Sequence, residues 1–173
     1  MISYNEELSK AMLYLAEKQD TIFLGQSMKY GGIAIANSFK DIPDSKKIEM
    51  PVAENLQLGI STGLALEGYV PISVYPRWNF LILAADQLVN HLDKLKEMTN
   101  NSYNPKVIIR VAVGVRHPVD PQEQHVGDFS EGFEKILKNI KIVKLNNAEQ
   151  IMQAYIQAYE DDCSTILVEE HQF

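Results

Sequence analysis

The chain has 173 residues, 46% hydrophobic and 23% charged, which suits one soluble domain with a full core. Its formal net charge of -7 argues against nucleic acid as a partner, because phosphate backbones call for clustered Lys and Arg. No apolar run approaches the ~20 residues that span a bilayer, Met1–Glu7 lacks the features of a secretory leader, and the single cysteine, Cys163, fits a reducing compartment. A cytoplasmic chain with one domain over 1–173, and no membrane or nucleic-acid partner, is expected.

Leu8, Met12, Leu15 and Ala16 mark one face of an opening helix, with Ser3 or Asn5 as its cap. Thr21–Gly25 reads as a buried strand ending at a glycine. A loop through Tyr30-Gly31-Gly32 and a short helix to Phe39 follow. Lys47–Met50 is a brief strand that leads through Pro51 to Glu54. A helix from about Asn55 to Leu66 carries Gly59 and Gly63. Tyr69–Tyr75 is a strand with Pro71 at its entry. Phe80–Met98 has a helical pattern through Leu81, Ala84, Leu88, Leu92 and Leu95. Lys106–Ala112 is a strand, Gly114–Asp128 a polar loop and Glu131–Leu137 a helix. Strand Ile140–Leu145, helix Ala148–Tyr159 and strand Thr165–Glu169 complete the pattern.

Strands alternating with helices imply parallel pairing through right-handed crossovers. The expected fold is therefore an α/β three-layer sandwich with a mainly parallel central sheet. In such sheets the loops after the strands carry the ligand site. Segments 25–32, 51–54, 75–79 and 114–128 should meet at one edge.

Several residues in those segments have chemistry to offer. Glu54 opens a helix, where an acid complements the macrodipole whether or not it has another task. Gly59 and Gly63 each cost about 1 kcal/mol against alanine inside a helix, so packing or a close backbone approach must compensate. Tyr75, Trp78 and Phe80 place aromatics in one loop, as stacking surfaces or as hydrophobic anchors. Arg77 among them could meet an anion or pair with a carboxylate. His125 lies in a loop, and histidine is a residue type that suits proton transfer. His117, Asp120, Glu123, His125 and Asp128 together have metal-ligating types, but no tight ligand spacing, so no metal is expected there. His91, inside a helical pattern, reads as a structural residue. Cys163, beside Asp161 and Asp162, is a poor nucleophile.

From about Phe23 to His171 the order of these blocks resembles the pyrimidine-binding domain of thiamine-diphosphate enzymes. The nearest likeness is to the beta chain of the 2-oxoacid (pyruvate) dehydrogenase decarboxylase component, with transketolase more distant. Phe23-Leu24-Gly25 with Tyr30-Gly31-Gly32 resembles the family's first strand and glycine loop. Pro51-Val52-Ala53-Glu54 looks like its Pro-Ile-Ser-Glu segment. Gly68-Tyr69-Val70-Pro71, Asn79-Phe80, Asp86-Gln87-Leu88-Val89-Asn90-His91 and Gln124-His125 have counterparts in the same order. Gln26-Ser27, where the family often has acids, and Val126, where it usually has serine, depart from the pattern.

The resemblance implies that Glu54 hydrogen-bonds the aminopyrimidine ring nitrogen of thiamine diphosphate and promotes loss of the thiazolium proton. Trp78, Phe80 or Tyr75 would stack on that ring, and His125 would face the substrate. The helix carrying Gly59 and Gly63 would lie near a subunit interface. The family anchors the diphosphate through Mg2+ on another domain bearing Gly-Asp-Gly, a motif absent here. The expectation is a split-enzyme subunit or a fragment, with no diphosphate-binding domain and no C-terminal transketolase-type domain. It would share thiamine diphosphate with an alpha-like chain that carries the Mg2+, in a homodimer or heterotetramer acting on a 2-oxoacid or ketose. Two other readings are a catalytically silent domain that dimerises with or regulates a thiamine enzyme, and an unrelated flavodoxin-like module.

Overall fold

Short apolar runs rich in β-branched residues become the six strands of one wholly parallel sheet in the computed structural model, which describes residues 3–31, 33–117 and 119–170. They are β1 Thr21–Gly25, β2 Lys47–Glu49, β3 Val70–Tyr75, β4 Ile108–Val113, β5 Lys141–Leu145 and β6 Thr165–Glu170, in the order β2-β1-β3-β4-β6-β5. The register aligns Leu24 with Ser73 and Ser73 with Ile109.

Alternation along the strands feeds two separate cores, one per sheet face. Phe23, Ile72, Val74, Ile108 and Leu167 face helices α1 (Tyr4–Ala16) and α6 (Ala148–Glu160). Tyr75, Ile109, Val111, Ile166 and Val168 face α2 (Glu54–Leu66) and α3 (Trp78–Leu81). The three-layer α/β expectation is met. On α1 the residues Leu8, Ala11, Met12 and Leu15 are all buried at helical spacing. Truncating Leu15 to alanine would remove about 2–5 kcal/mol from that layer.

The pattern expected as one helix from Phe80 to Met98 is broken into pieces. α3 ends at Leu81, a 3-10 turn covers Ile82–Ala84, a π-helical segment covers Gln87–Leu92, and α4 spans Leu95–Met98. Asp93 is the physical reason for the wide turn. Its amide bonds the Leu88 carbonyl five residues back at 3.0 Å. Its buried carboxylate accepts the amides of Lys138 and Asn139, both at 2.8 Å, fixing the residues between α5 (Ser130–Ile136) and β5. Periodicity alone does not reveal such a distant contact.

The crossovers leave β1 toward β2 but β3 toward β4. The direction of winding therefore reverses between β1 and β3, which opens a crevice beyond their carboxyl ends.

Candidate active site

Gly25 ends β1 because nothing larger fits. A Cβ there would stand 3.0 Å from the Val74 carbonyl and from Met28 Sδ. The chain then turns through Ser27 at φ 58. Glu49, at the end of β2, pins this turn by accepting the amides of Ser27 at 2.6 Å and Lys29 at 2.9 Å. The turn in its place points Gln26 toward α2. Gln26 Nε2 donates to Glu54 Oε1 at 3.2 Å.

Glu54 is the first residue of α2 and only 6% exposed. Among the described residues, Gln26 alone bonds its carboxylate, so the second oxygen has no protein donor. The helix N-terminus favours negative charge at this place. Tyr75 Oη donates to the Glu54 backbone carbonyl at 3.4 Å and accepts from Ser73 Oγ at 3.2 Å. Burial pushes the Tyr75 phenol well above its ordinary pKa. One turn along α2, the buried Gln57 amide spans the crevice floor, donating to Val74 O at 3.0 Å and Ser73 Oγ at 3.2 Å. Gln57 thereby locks the start of α2 to β3.

The other wall comes from the loops after β3 and β4. Gly114 is indispensable there. A Cβ on it would lie 2.0 Å from the His125 carbonyl oxygen and 3.0 Å from Arg77 Nε. The 114–128 loop thus folds back directly onto the end of β4. Asn79 Oδ1 accepts the Gly127 amide at 3.2 Å, and the Phe80 ring meets the His125 imidazole edge-on at 5.5 Å. Phe80 is half-buried.

Trp78 and Tyr75 do not offer a ring face to any ligand. Trp78 is fully buried, stacked on Phe133 with centroids 5.1 Å apart, edge-on to Phe129, and donating from Nε1 to Ser130 at 3.2 Å. Tyr75 is equally enclosed in the same core. Both rings are consumed by packing, because the end of β3 and the start of α3 turn them inward onto α2 and α5. Of the three aromatics, Phe80 remains accessible.

Among the described residues, acids of the 114–128 loop are paired with cations. Asp120 and Glu123 both bond Arg116, and Asp128 bonds Lys144 at 2.8 Å and Ser130. His91 lies on an exposed helical turn, 3.6 Å from Asp86, too far for a hydrogen bond. Burial raises the Cys163 thiol pKa, with Asp161 adding to it.

A sequence reading of candidate residues overlooks Gln57, and it counts Gln26 as a loss of acid, not as a donor to Glu54. A polar residue on the buried face of α2, three positions after Glu54, is the available signal for Gln57.

No family model matches the chain. It is 25% identical over 118 residues to the 2-oxoisovalerate dehydrogenase subunit beta of Bacillus subtilis, covering 66% of this chain and 36% of that protein. It is 26% identical over 166 residues to the mitochondrial pyruvate dehydrogenase E1 component subunit beta of Saccharomyces cerevisiae, covering 90% of this chain and 44% of that one. Both of these relatives are beta subunits of 2-oxoacid dehydrogenases, and the chain is similar to them at this level. It spans less than half the length of these curated relatives. A solved split gene transketolase, described as an inactive beta4 tetramer, superposes with a TM-score of 0.64 at 18% identity, over 97% of this chain and 50% of that one. That likeness shows a shared fold.

Proposed function

We propose that this beta-like chain is the pyrimidine-binding part of a thiamine-diphosphate-dependent enzyme completed by a diphosphate-binding, alpha-like subunit. Residues 1–173 act as one domain in this reading, and Mg2+ sits on the Gly-Asp-Gly motif of the partner. The observation that carries it is Glu54. It is a carboxylate buried at the β1/β3 crevice, with one oxygen held by Gln26 and the other without a protein donor. Such a carboxylate fits the aminopyrimidine ring nitrogen of the cofactor, to which its unengaged oxygen can hydrogen-bond.

Bound thiamine diphosphate would supply the electron sink for decarboxylating a 2-oxoacid or transferring a ketol group. Glu54 would hydrogen-bond the ring nitrogen through its unengaged oxygen, positioned by Gln26 and by the Gln57 lock beneath it. Phe80 would cover the ring. His125, set by Gly114 and packed against Phe80, would move a proton at the substrate.

The outer face of α2 supports a partner. Leu56, Ile60 and Gly63 recur at helical spacing on exposed positions, with Val52 80% and Leu83 61% exposed nearby. A Cβ at Gly63 would meet nothing within 4 Å in this chain. Its cost in helix propensity therefore has no return inside the domain, and close approach of a second chain supplies one.

The test is co-purification of the tagged chain from its native source, followed by cofactor titration. A stoichiometric partner carrying Gly-Asp-Gly, with tight Mg2+-dependent thiamine diphosphate binding only in the complex, is expected. Tight Mg2+-dependent binding by this chain alone would overturn the division of labour. A complex that binds no cofactor would favour the silent regulatory reading.

A further inference from the structure

Among the described residues, no carboxylate pairs with Arg77. Its guanidinium is half-buried in the loop after β3, and among the described residues its one hydrogen bond runs from Nη1 to the Pro76 carbonyl at 2.7 Å. The acids of the surrounding loops are committed elsewhere: Glu49 to two amides, Glu54 to Gln26, Asp120 and Glu123 to Arg116, Asp128 to Lys144. The other buried guanidinium of the chain, Arg110, is gripped by both oxygens of Glu169. Burial of a cation is unfavourable unless negative charge opposes it. At Arg77 burial alone acts, lowering the guanidinium from its ordinary pKa.

Its place in the fold gives the missing anion a location. Arg77 Nε lies 3.0 Å from where a Gly114 Cβ would stand, and the His125 carbonyl presses on the same point. The loop carrying Arg77 begins at Tyr75, which bonds Glu54, and leads to Phe80, which meets His125. The guanidinium thus stands beside Gly114 and His125, on the wall built by the loops after β3 and β4.

We propose that Arg77 is the anion anchor of this cleft, taking the carboxylate or phosphate oxygens of an acidic small-molecule substrate on its Nε and Nη2 donors. A planar fork of this kind matches either oxyanion. The proposal rests on the cleft being a substrate site, and it goes further by fixing which end of the substrate faces Arg77.

The full chain is titrated with sodium pyruvate and, separately, with inorganic phosphate, and the backbone amide resonances of residues 77 and 114 are followed by NMR. A saturable shift with either probe is expected, absent with sodium chloride at matched ionic strength. It should vanish in Arg77→Met and weaken several-fold in Arg77→Lys, which keeps the charge but loses the fork. A response to pyruvate alone assigns a carboxylate, to phosphate alone a phosphoryl group, and to both an oxyanion site open to either. No saturable shift with either probe, or an equal one with chloride, overturns the proposal. The readout needs neither cofactor nor partner. A working anion site beside an indifferent Glu54→Gln complex therefore leaves Arg77 standing while the thiamine reading falls, and the reverse pattern removes Arg77 alone.

Discussion

Glu169→Gln probes the most exacting contact in the fold. Arg110 on β4 and Glu169 on β6 are both fully buried, paired at 2.5 Å from Nε and 3.0 Å from Nη2. Tyr155 Oη donates to the same carboxylate at 2.7 Å, and Arg110 Nη1 reaches Ser38 Oγ at 2.6 Å. The network therefore bolts α6 and the 3-10 segment Ala34–Phe39 to the sheet. Neutralising Glu169 keeps its shape but leaves Arg110 as an unopposed buried charge, at a cost of about 3–5 kcal/mol. For a domain of this size that is a fall in Tm of roughly 6–20 °C. Urea unfolding gives the free energy, and amide exchange at Ile35–Phe39 reports whether the segment loosens. The paired variant Arg110→Met with Glu169→Leu should recover most of the loss, since it removes both charges and fills the space. A Glu169→Gln protein within about 0.5 kcal/mol of wild type would refute the reasoning.

Gly114→Ala forces the His125 carbonyl to retreat by about 1 Å or more from the new methyl group, so the 114–128 loop must shift. An overpacking cost of about 1–3 kcal/mol is expected, with NMR shift changes confined to residues 77 and 114–127; an unperturbed loop contradicts this packing. The Asp93 carboxyl pKa is held low in the folded chain: burial alone would raise it, but Lys94 and the amides of Asn139 and Lys138 outweigh that. The unfolded chain then binds the proton more readily, so the stability Asp93 supplies is complete above about pH 4 and fades as pH falls toward the folded value. Asp93→Asn should flatten that part of the Tm–pH curve and lower Tm at neutral pH; an unchanged acid limb would count against it. Trp78→Ala should destabilise by about 3–5 kcal/mol, whereas Phe80→Ala should leave stability nearly intact and weaken cofactor binding in the complex. Equal destabilisation by both would return Trp78 and Phe80 to the same role.

Much of the fold could be read from short-range pattern. Thr21–Gly25 coincides with β1, and the stretch ending at Leu66 coincides with α2 apart from its first residue, because strand and helix periods are local. The convergence of four loops at one sheet edge also followed, since parallel connectivity dictates it. What escaped depends on contacts across the chain. Arg110 and Glu169 are 59 residues apart and carry no local mark of their pairing. The direction of Trp78 depends on Phe129 and Phe133, more than fifty residues on, so a loop aromatic could not be told from a core one. Gln26 became a Glu54 donor only through the Glu49 carboxylate that pins its turn.

Exchange of the C2 proton of thiamine diphosphate, followed by NMR in the reconstituted complex, tests the central claim most directly. The wild-type complex is predicted to exchange it at least about a hundredfold faster than a Glu54→Gln complex that still binds the cofactor. Equal exchange rates in the two complexes would contradict the assignment of Glu54 and, with it, this account of the cleft.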